Sequence, residues 1–199
     1  MSTDTERSKL TVDDLAARFR GEMIPLTNRF TYFTTLPIAE EDLRQYLHDP
    51  IAAISPAIVA AIPRVGLILA PYLEKGTGKE GDLVMYERPP ESRQLRSARR
   101  DLKDMTVLVL GTKELEVADY HYQLYNAIAS LMADHWSPDV QERFYRTLRE
   151  ELNAEVHGEV DEKSWNLKQA LVRRQTNVRK ETKLFREYAR SAFEDTLTL

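Results

Sequence analysis

The stretch from Ile51 to Leu73 constrains the fold of this chain more than any other feature, because Arg64 is its only charged residue. About 20 consecutive apolar residues are enough to cross a bilayer as a helix. However, Arg64 would cost about 2.5–3.5 kcal/mol at the bilayer centre. The stretch is also interrupted by three prolines, at positions 56, 63 and 71. We therefore predict that it lies inside a soluble core and that the protein does not associate with a membrane.

The strongest strand signals lie between residues 65 and 110. Ser55-Pro56 has the N-cap and first-turn residues of a short helix, after which Val65 to Leu73 is predicted to be a buried strand. Asp82 to Arg88 follows a glycine-rich turn and predicts a hairpin with that strand. Met105 to Leu110 is apolar and rich in β-branched residues, and we expect it to join the hairpin. Asn28 to Leu36 is aromatic and β-branched but does not alternate cleanly, which is compatible with a short strand or an ordered loop, and we predict the loop.

Helical patterns flank these strands on both sides. Before them, Thr11 should cap a first helix, and a second helix runs from Pro37 to His48 and is closed by Asp49-Pro50. After them we predict three helices, from Glu116 to Trp136, from Ser137-Pro138 to His157, and a longer one from Ser164 to Leu199. The short turn at Ser137 makes the first two of these an antiparallel hairpin.

Together these patterns predict an α+β, helix-dominated fold. A small antiparallel sheet (about residues 65–110) is expected to pack with the N-terminal helices, the C-terminal antiparallel helical hairpin and the long last helix. Residues 1–10 carry mixed charge without an apolar period, so we expect a disordered tail followed by a single globular domain at 11–199. The apolar residues before Leu199 are also compatible with a natural chain that continues, of which this sequence would be a fragment.

The composition excludes several classes of function. The chain contains no cysteine, which rules out a disulfide framework, a thiolate zinc site and a cysteine nucleophile. The first ten residues lack the apolar segment of a secretory signal, and we expect the protein to be cytoplasmic. A net charge of -4 disfavours general affinity for nucleic acid, which requires a surplus of Lys and Arg on at least one face.

One histidine and two glutamates of the predicted hairpin are the candidate catalytic and metal-binding residues. His121 steps with the apolar residues of the first helix, while Glu155 falls inside the apolar stripe of the second and Glu151 at its edge. Counted from Ser137, these three residues should lie at one level, with Asp119 as a further metal ligand. An imidazole beside two carboxylates can bind one divalent metal or act as a general base. The alternative is a structural His–Glu hydrogen bond with no cofactor.

A basic stripe on the last predicted helix is the candidate partner-binding surface. Its members are Lys168, Arg179, Lys183, Arg186 and Arg190, and the last four are the candidate partner contacts. A second basic cluster precedes the third strand and consists of Arg88, Arg93, Arg96, Arg99, Arg100 and Lys103. A surface shared by both could bind phosphates or an acidic partner. The alternative is a solvated face with ordinary surface charge.

Three functions remain open from the sequence. The first is a non-enzymatic intracellular binding or regulatory protein that uses its C-terminal helices to contact a protein partner or a second copy of the chain. The second is a metal-dependent or acid–base hydrolytic enzyme with the His/Glu site between two helices. The third, disfavoured by the net charge, is nucleic-acid binding through the basic stripe. The sequence carries no nucleophile elbow, no Walker loop, no dinucleotide fingerprint and no recognisable zinc spacing.

Overall fold

A computed structural model describes residues 10–77, 81–156, 161–173 and 180–198. The chain is α+β and dominated by helices, as predicted. It divides into two units, the first formed by Met1–Val59 with Pro63–Gln123 and the second by Ala60–Ile62 with Leu124–Leu199. The single domain predicted for 11–199 stays a prediction, and each unit is described by itself.

The strands all lie in the first unit. They are β1 (Leu10–Thr11), β2 (Ile24–Pro25), β3 (Phe30–Thr34), β4 (Val65–Ala70), β5 (Tyr72–Glu74), β6 (Leu83–Met85), β7 (Gln94–Leu95), β8 (Ser97–Asp101) and β9 (Thr106–Gly111). The helices are α1 (Val12–Phe19), α2 (Glu40–Leu43), α3 (Asp49–Ala53), α4 (Pro56–Ala61), α5 (Val117–His135), α6 (Pro138–Asn153), α7 (Glu162–Val172) and α8 (Lys183–Thr198). A π turn (Arg44–His48) joins α2 to α3, and single 3-10 turns occupy Arg20–Glu22 and Glu91–Arg93.

A five-stranded sheet with the order β2-β3-β4-β9-β8 forms the centre of the first unit. Its three middle strands are parallel, with Phe30 opposite Val65 and Val65 opposite Thr106, and only the two outer strands pair antiparallel. The predictions of strands at Val65 and Met105 are confirmed, but the predicted loop at Asn28–Leu36 is wrong because β3 lies there. The Met105 strand does pair with the predicted Val65 strand, since β9 lies parallel to β4, but the hairpin itself is formed by β5 and β6, and β9 lies outside it.

The predicted hairpin belongs to a second, smaller sheet with the order β1-β6-β5-β7. This sheet is antiparallel throughout, and its hairpin pairs Tyr72 with Met85. Leu10, which the sequence analysis placed in the tail, lies in β1 opposite Val84. The rest of the predicted tail, Met1 to Lys9, lies outside the described residues.

Helix α1 begins where the sequence predicts and covers part of the sheet. The Thr11 hydroxyl accepts a hydrogen bond from the Asp14 amide at 3.0 Å, which satisfies one of the open donors of the first turn. The apolar side of α1 then packs against buried side chains of the strands, among them Ile68 and Val109. The predicted helix after Ser55 is confirmed too, because Ser55 caps α4 through the Ile58 amide at 3.4 Å.

The helix from Glu40 does not stop at Asp49-Pro50 but continues through Pro50 to Ala53. A proline inside an α-helix removes one N–H and clashes with the carbonyl four residues before it. The chain avoids this conflict by widening into a π turn, in which the Asp49 amide donates to the Arg44 carbonyl. The sequence rule that a proline ends a helix therefore failed here, because one wider turn accommodates the ring.

The second unit consists of helices, two of which differ from the prediction. Helix α6 ends at Asn153 and not at His157, and residues 180–182 are not helical, so the predicted helix from Ser164 to Leu199 is not continuous. Helix α8 starts afresh at Lys183, where the Thr182 hydroxyl accepts from the Phe185 amide at 3.1 Å. Helices α7 and α8 pack together, and the hydroxyl groups of Ser164 and Ser191 hydrogen-bond at 2.9 Å in their interface.

The stretch from Ile51 to Leu73 is divided among α3, α4, β4 and β5. All six residues of β4 are buried. In the described part of the chain, no helix has the length and apolar character that a membrane crossing requires.

Candidate functional site: a cleft at the sheet edge

His121 has a hydrogen-bond partner in the first unit that the sequence did not predict. Its Nε2 nitrogen lies 2.8 Å from the carbonyl oxygen of Gln45, inside the π turn. A carbonyl oxygen can only accept, so Nε2 carries the proton. In the π pattern this carbonyl would accept from the nitrogen of Pro50, which bears no hydrogen. The imidazole therefore replaces the missing backbone donor.

The two glutamates predicted to meet His121 lie in the second unit. Glu151 is half-buried on α6, whereas Glu155 lies beyond the end of that helix, is exposed and has a φ of 54°. Its predicted place inside the apolar stripe is wrong, because that placement assumed a helix reaching His157. Asp119 is exposed near the start of α5. Over the described ranges, no group of three or more His, Asp or Glu residues could hold a metal ion. That His121, Glu151 and Glu155 meet stays a prediction.

The basic stripe is partly neutralised within the second unit. The Arg190 guanidinium lies 2.6 Å from Asp134 and 2.9 Å from Glu194, and it also donates to the Ser130 hydroxyl at 3.0 Å. Lys183 and Arg186 are exposed, and each lies 3.7 Å from a glutamate, Glu187 and Glu181 respectively. Arg179 lies outside the described residues, and Lys168, on α7, is buried and donates to the Val156 carbonyl, so it does not belong to an exposed stripe. Arg190 therefore fastens α8 to α5, and among the described residues of the stripe Lys183 and Arg186 are the ones exposed enough to meet a partner.

Arg190→Met should lower the free energy of unfolding by about 1–2 kcal/mol, because it removes charge-assisted hydrogen bonds between two helices. Arg186→Met is the matched control and should change it by less than about 0.5 kcal/mol, since an exposed ion pair contributes little. Urea denaturation followed by tryptophan emission measures both variants, because Trp136 and Trp165 both lie in the second unit. Equal losses in the two variants would show that Arg190 has no such structural role.

The second basic cluster is also largely engaged by acidic side chains of the first unit. Its ion pairs are Arg88 with Glu91 and Glu114, Arg93 with Glu74, Arg99 with Asp101, and Arg100 with Asp13 and Asp82. Among them, Glu74 is buried, and Arg93 approaches it to 3.0 Å. Four of the six basic residues are thus paired within the first unit, whereas Arg96 and Lys103 are exposed and form no ion pair among the described residues.

A cleft of about 280 Å³ opens at the carboxyl ends of the three parallel strands. Thr34 ends β3, Ala70 ends β4, and Thr112 follows β9, and all three line the cleft. In open sheets with parallel strands, ligands bind in the crevice beyond the carboxyl ends of the strands, because loops diverge there and leave a gap. The cleft therefore lies where this kind of sheet places a binding site.

The floor of the cleft is held by hydrogen bonds between neighbouring strand ends. Thr35 donates to the Leu69 carbonyl through its amide at 3.0 Å and through its hydroxyl at 3.2 Å. Thr112 does the same to the Ala70 carbonyl, at 2.9 and 3.2 Å. Each threonine thus fixes the strand beside it, and the shape of the cleft is set before any ligand arrives.

Asp42, on α2, and Tyr46, in the π turn, form one wall of the cleft. They are four residues apart and both line the cleft. Burial raises the pKa of the Tyr46 phenol, and the nearby carboxylates of Asp42 and Glu116 raise it further. The phenol therefore stays protonated as a hydrogen-bond donor and lies in a negative field. Asp42 is exposed and has no ion pair in the described part of the chain.

A second tyrosine lies behind this wall. The ring of Tyr120 packs edge-on against that of Tyr46, with 4.7 Å between their centroids. Tyr120 is fully buried, and its hydroxyl has no hydrogen-bond partner within the described ranges. Burial, and then the neighbouring Tyr46, raises the pKa of Tyr120 strongly. The Tyr120 phenol therefore stays neutral.

Glu114, another acidic residue of the cleft, differs from Asp42 because its carboxylate already has partners. It accepts from the Tyr72 hydroxyl at 3.2 Å and pairs with Arg88 at 3.1 Å. Its φ of 59° lies in the left-handed region, which is unusual for a residue with a side chain and is found more often in turns and binding sites. Lys113, next to it, is exposed.

Sequence reasoning missed this cleft because it depends on parallel pairing between distant strands. The available signal was a polar residue directly after each apolar strand, namely Thr34 and Thr35 after β3 and Thr112 after β9. That signal could not be used once Asn28–Leu36 was interpreted as a loop. The comparisons with known proteins add no assignment, since no family model, no curated protein and no solved structure matches the chain.

Proposed function

We propose that this chain is a non-enzymatic binding protein whose ligand is a small polar molecule held in the cleft at the sheet edge. The observation that carries the proposal is the position of the cleft at the carboxyl ends of β3, β4 and β9. Its volume suits a metabolite of a few heavy atoms more than a drug-sized ligand. The expected compartment, the cytoplasm, stays part of the proposal.

The polar groups of the cleft support binding and not catalysis. Their composition is a protonated phenol at Tyr46, a carboxylate at Asp42 and hydroxyl groups at Thr34 and Thr112. A hydrolytic site would require a nucleophile with a neighbouring base or a metal-bound water. No histidine lines the cleft, and His121 donates its Nε2 proton to a backbone carbonyl. The hydrolytic alternative with His121, Glu151 and Glu155 therefore gains no support from these contacts.

The partner surface on α8 remains a second candidate, reduced to Lys183 and Arg186. Their side chains are 87% and 57% exposed, and the glutamates beside them lie at 3.7 Å, beyond hydrogen-bond length. An acidic partner could displace such weak pairs at little cost. Nucleic-acid binding through the same stripe is the least supported of the three candidate functions, because Arg190 is engaged in ion pairs within the second unit.

The binding function is tested by titrating the labelled protein with small polar molecules and recording amide chemical shifts. The probes are 1,4-diaminobutane, succinate, glutamine and ribose, which cover cations, anions, zwitterions and neutral sugars. We expect at least one probe to shift the amides of residues 34–38 and 112–115 in a saturable way. The amides of α8 should not respond to that probe.

Thr34→Phe should abolish this response, because the aromatic ring fills the cleft. The matched control is Thr147→Phe, the same substitution at an exposed position on α6. It should respond like the wild type. If none of the four probes gives saturable shifts around the cleft, the proposal is wrong. It is equally wrong if Thr34→Phe folds and still responds.

A further inference from the structure

The charges around the cleft are unevenly compensated, and this difference points to a class of ligand. Glu114 is neutralised by Arg88, at 3.1 Å, and hydrogen-bonded by Tyr72. Asp42, in contrast, has no cationic partner in the part of the chain that the structure describes. A carboxylate at the mouth of a cleft without a cation of its own leaves a local negative potential.

The wall next to Asp42 reinforces that potential. Tyr46 lines the cleft one helical turn later, and its phenol lies within the field of both Asp42 and Glu116. Glu116, at the start of α5, also has no ion pair among the described residues. In the lining of the cleft, the uncompensated carboxylate of Asp42 thus accompanies the aromatic side chain of Tyr46, and this pair can attract a cation through charge and through the ring quadrupole.

The cationic residue of the cleft does not cancel this field. Lys113 lines the cleft but is exposed, and no acidic side chain of the described residues pairs with it. A long lysine side chain that is held by nothing extends its ammonium group into water, where its charge is screened. The short side chain of Asp42 cannot move away from the wall in the same manner.

We infer that the cleft selects a small organic cation, with its ammonium or guanidinium group beside Asp42 and Tyr46 and the rest of the molecule along the threonines at the strand ends. This inference rests on the proposed binding function and names the ligand class for the same cleft. The Tyr46 hydroxyl and the hydroxyl of Thr34 supply hydrogen bonds to polar groups of the ligand. An anion would meet the uncompensated carboxylate of Asp42, and the cation in the lining, Lys113, is on a long side chain that no acidic side chain of the described residues holds.

The test compares three four-carbon molecules of equal length that differ in charge: 1,4-diaminobutane, 1,4-butanediol and succinate. Dissociation constants are obtained from the amide shifts of residues 34–38 and 112–115 at low salt. We expect 1,4-diaminobutane to bind at least tenfold more tightly than either of the other two. Its affinity should fall steeply as salt is added.

Two substitutions locate the charge that is responsible. Asp42→Asn should weaken 1,4-diaminobutane about tenfold, which corresponds to the loss of one charge-assisted contact. Lys113→Met should leave its affinity unchanged or raise it. Asp139→Asn is the matched control, because Asp139 is an exposed carboxylate on α6 outside the cleft, and it should bind like the wild type.

The outcomes separate this inference from the proposed function. If 1,4-butanediol or succinate binds in the cleft as tightly as the diamine, the cleft binds ligands but the selection for cations is wrong. If the diamine binds and Asp42→Asn keeps full affinity, the assignment of Asp42 is wrong and the inference falls with it. If none of the three molecules gives saturable shifts there and the four-probe titration also fails, both statements are overturned.

Discussion

Phe185→Ala should lower the free energy of unfolding by about 3–5 kcal/mol, the largest single loss that we expect from this chain. The Phe185 ring is completely buried between α8 and α6 and meets the Tyr145 ring edge-on, with 5.1 Å between centroids. The Arg149 guanidinium lies 4.6 Å from its face. Alanine would leave a cavity at this contact and remove the aromatic pair and the cation–π contact together.

Urea denaturation followed by tryptophan emission is the appropriate measurement for Phe185→Ala. The ring centroids of Trp136 and Phe193 lie 4.6 Å apart in the same unit. The emission of Trp136 therefore reports the unfolding of the core of the second unit. Phe185→Leu keeps most of the volume and should cost less than about 1.5 kcal/mol. A loss below about 1 kcal/mol for the alanine variant would contradict the packing described for this unit.

His121→Ala should lower the free energy of unfolding by about 1–3 kcal/mol, because it leaves the Gln45 carbonyl without its donor. His121→Gln is the control, since its side-chain amide can donate to the same carbonyl and should recover part of the loss. Denaturation followed by far-ultraviolet circular dichroism measures both. This role requires no metal, so treatment with EDTA should leave the melting temperature of the wild type unchanged.

The same experiment decides between the structural and the catalytic hypotheses for His121. If His121 binds a metal, EDTA should destabilise the wild type. His121→Ala should then no longer respond to EDTA and should be no less stable than the wild type treated with EDTA. If His121 is a structural donor, EDTA should leave the wild type unchanged and His121→Ala should lower the free energy of unfolding. Stabilities of the two variants that equal that of the wild type would contradict the role inferred from the 2.8 Å contact with Gln45.

Local sequence signals predicted local structure well. Thr11, Ser55 and Ser137 each cap the helix that the sequence analysis assigned to them, because capping depends only on a side chain and the amides two or three residues later. The buried strands at Val65 and Thr106 were found because a short, continuous apolar run has few other solutions.

The errors arose where distant residues decide the structure. Phe30–Thr34 becomes a strand because it pairs with β4, and nothing in its own alternation reveals that partner. Pro50 stays inside a helix because a π turn and the imidazole of His121 accommodate it. Glu155 and the long last helix were misplaced because both predictions extended a helical period past its actual end.

The candidate site shows the same division. The basic residues of the stripe were found, but their neutralisation depends on Asp134 and Ser130 of another helix. The cleft required three strand ends to be brought together, and its wall required a helix to pass through Pro50. Sequence patterns identified the chemical groups, whereas their combination was a property of the tertiary structure.

The parallel centre of the large sheet has a consequence for the order in which this chain acquires its structure. Phe30 pairs with Val65, and Val65 pairs with Thr106. Each pairing therefore closes a long loop, and the entropy of loop closure is lost before the contacts between the strands stabilise the pair. The helices α6, α7 and α8, in contrast, are built on backbone hydrogen bonds between residues four positions apart, and such local contacts form faster. We therefore expect β3, β4 and β9 to assemble late. Until they do, the apolar residues of β4 can contact other chains. We therefore expect this chain to be most prone to aggregation during synthesis, before the three strands have paired.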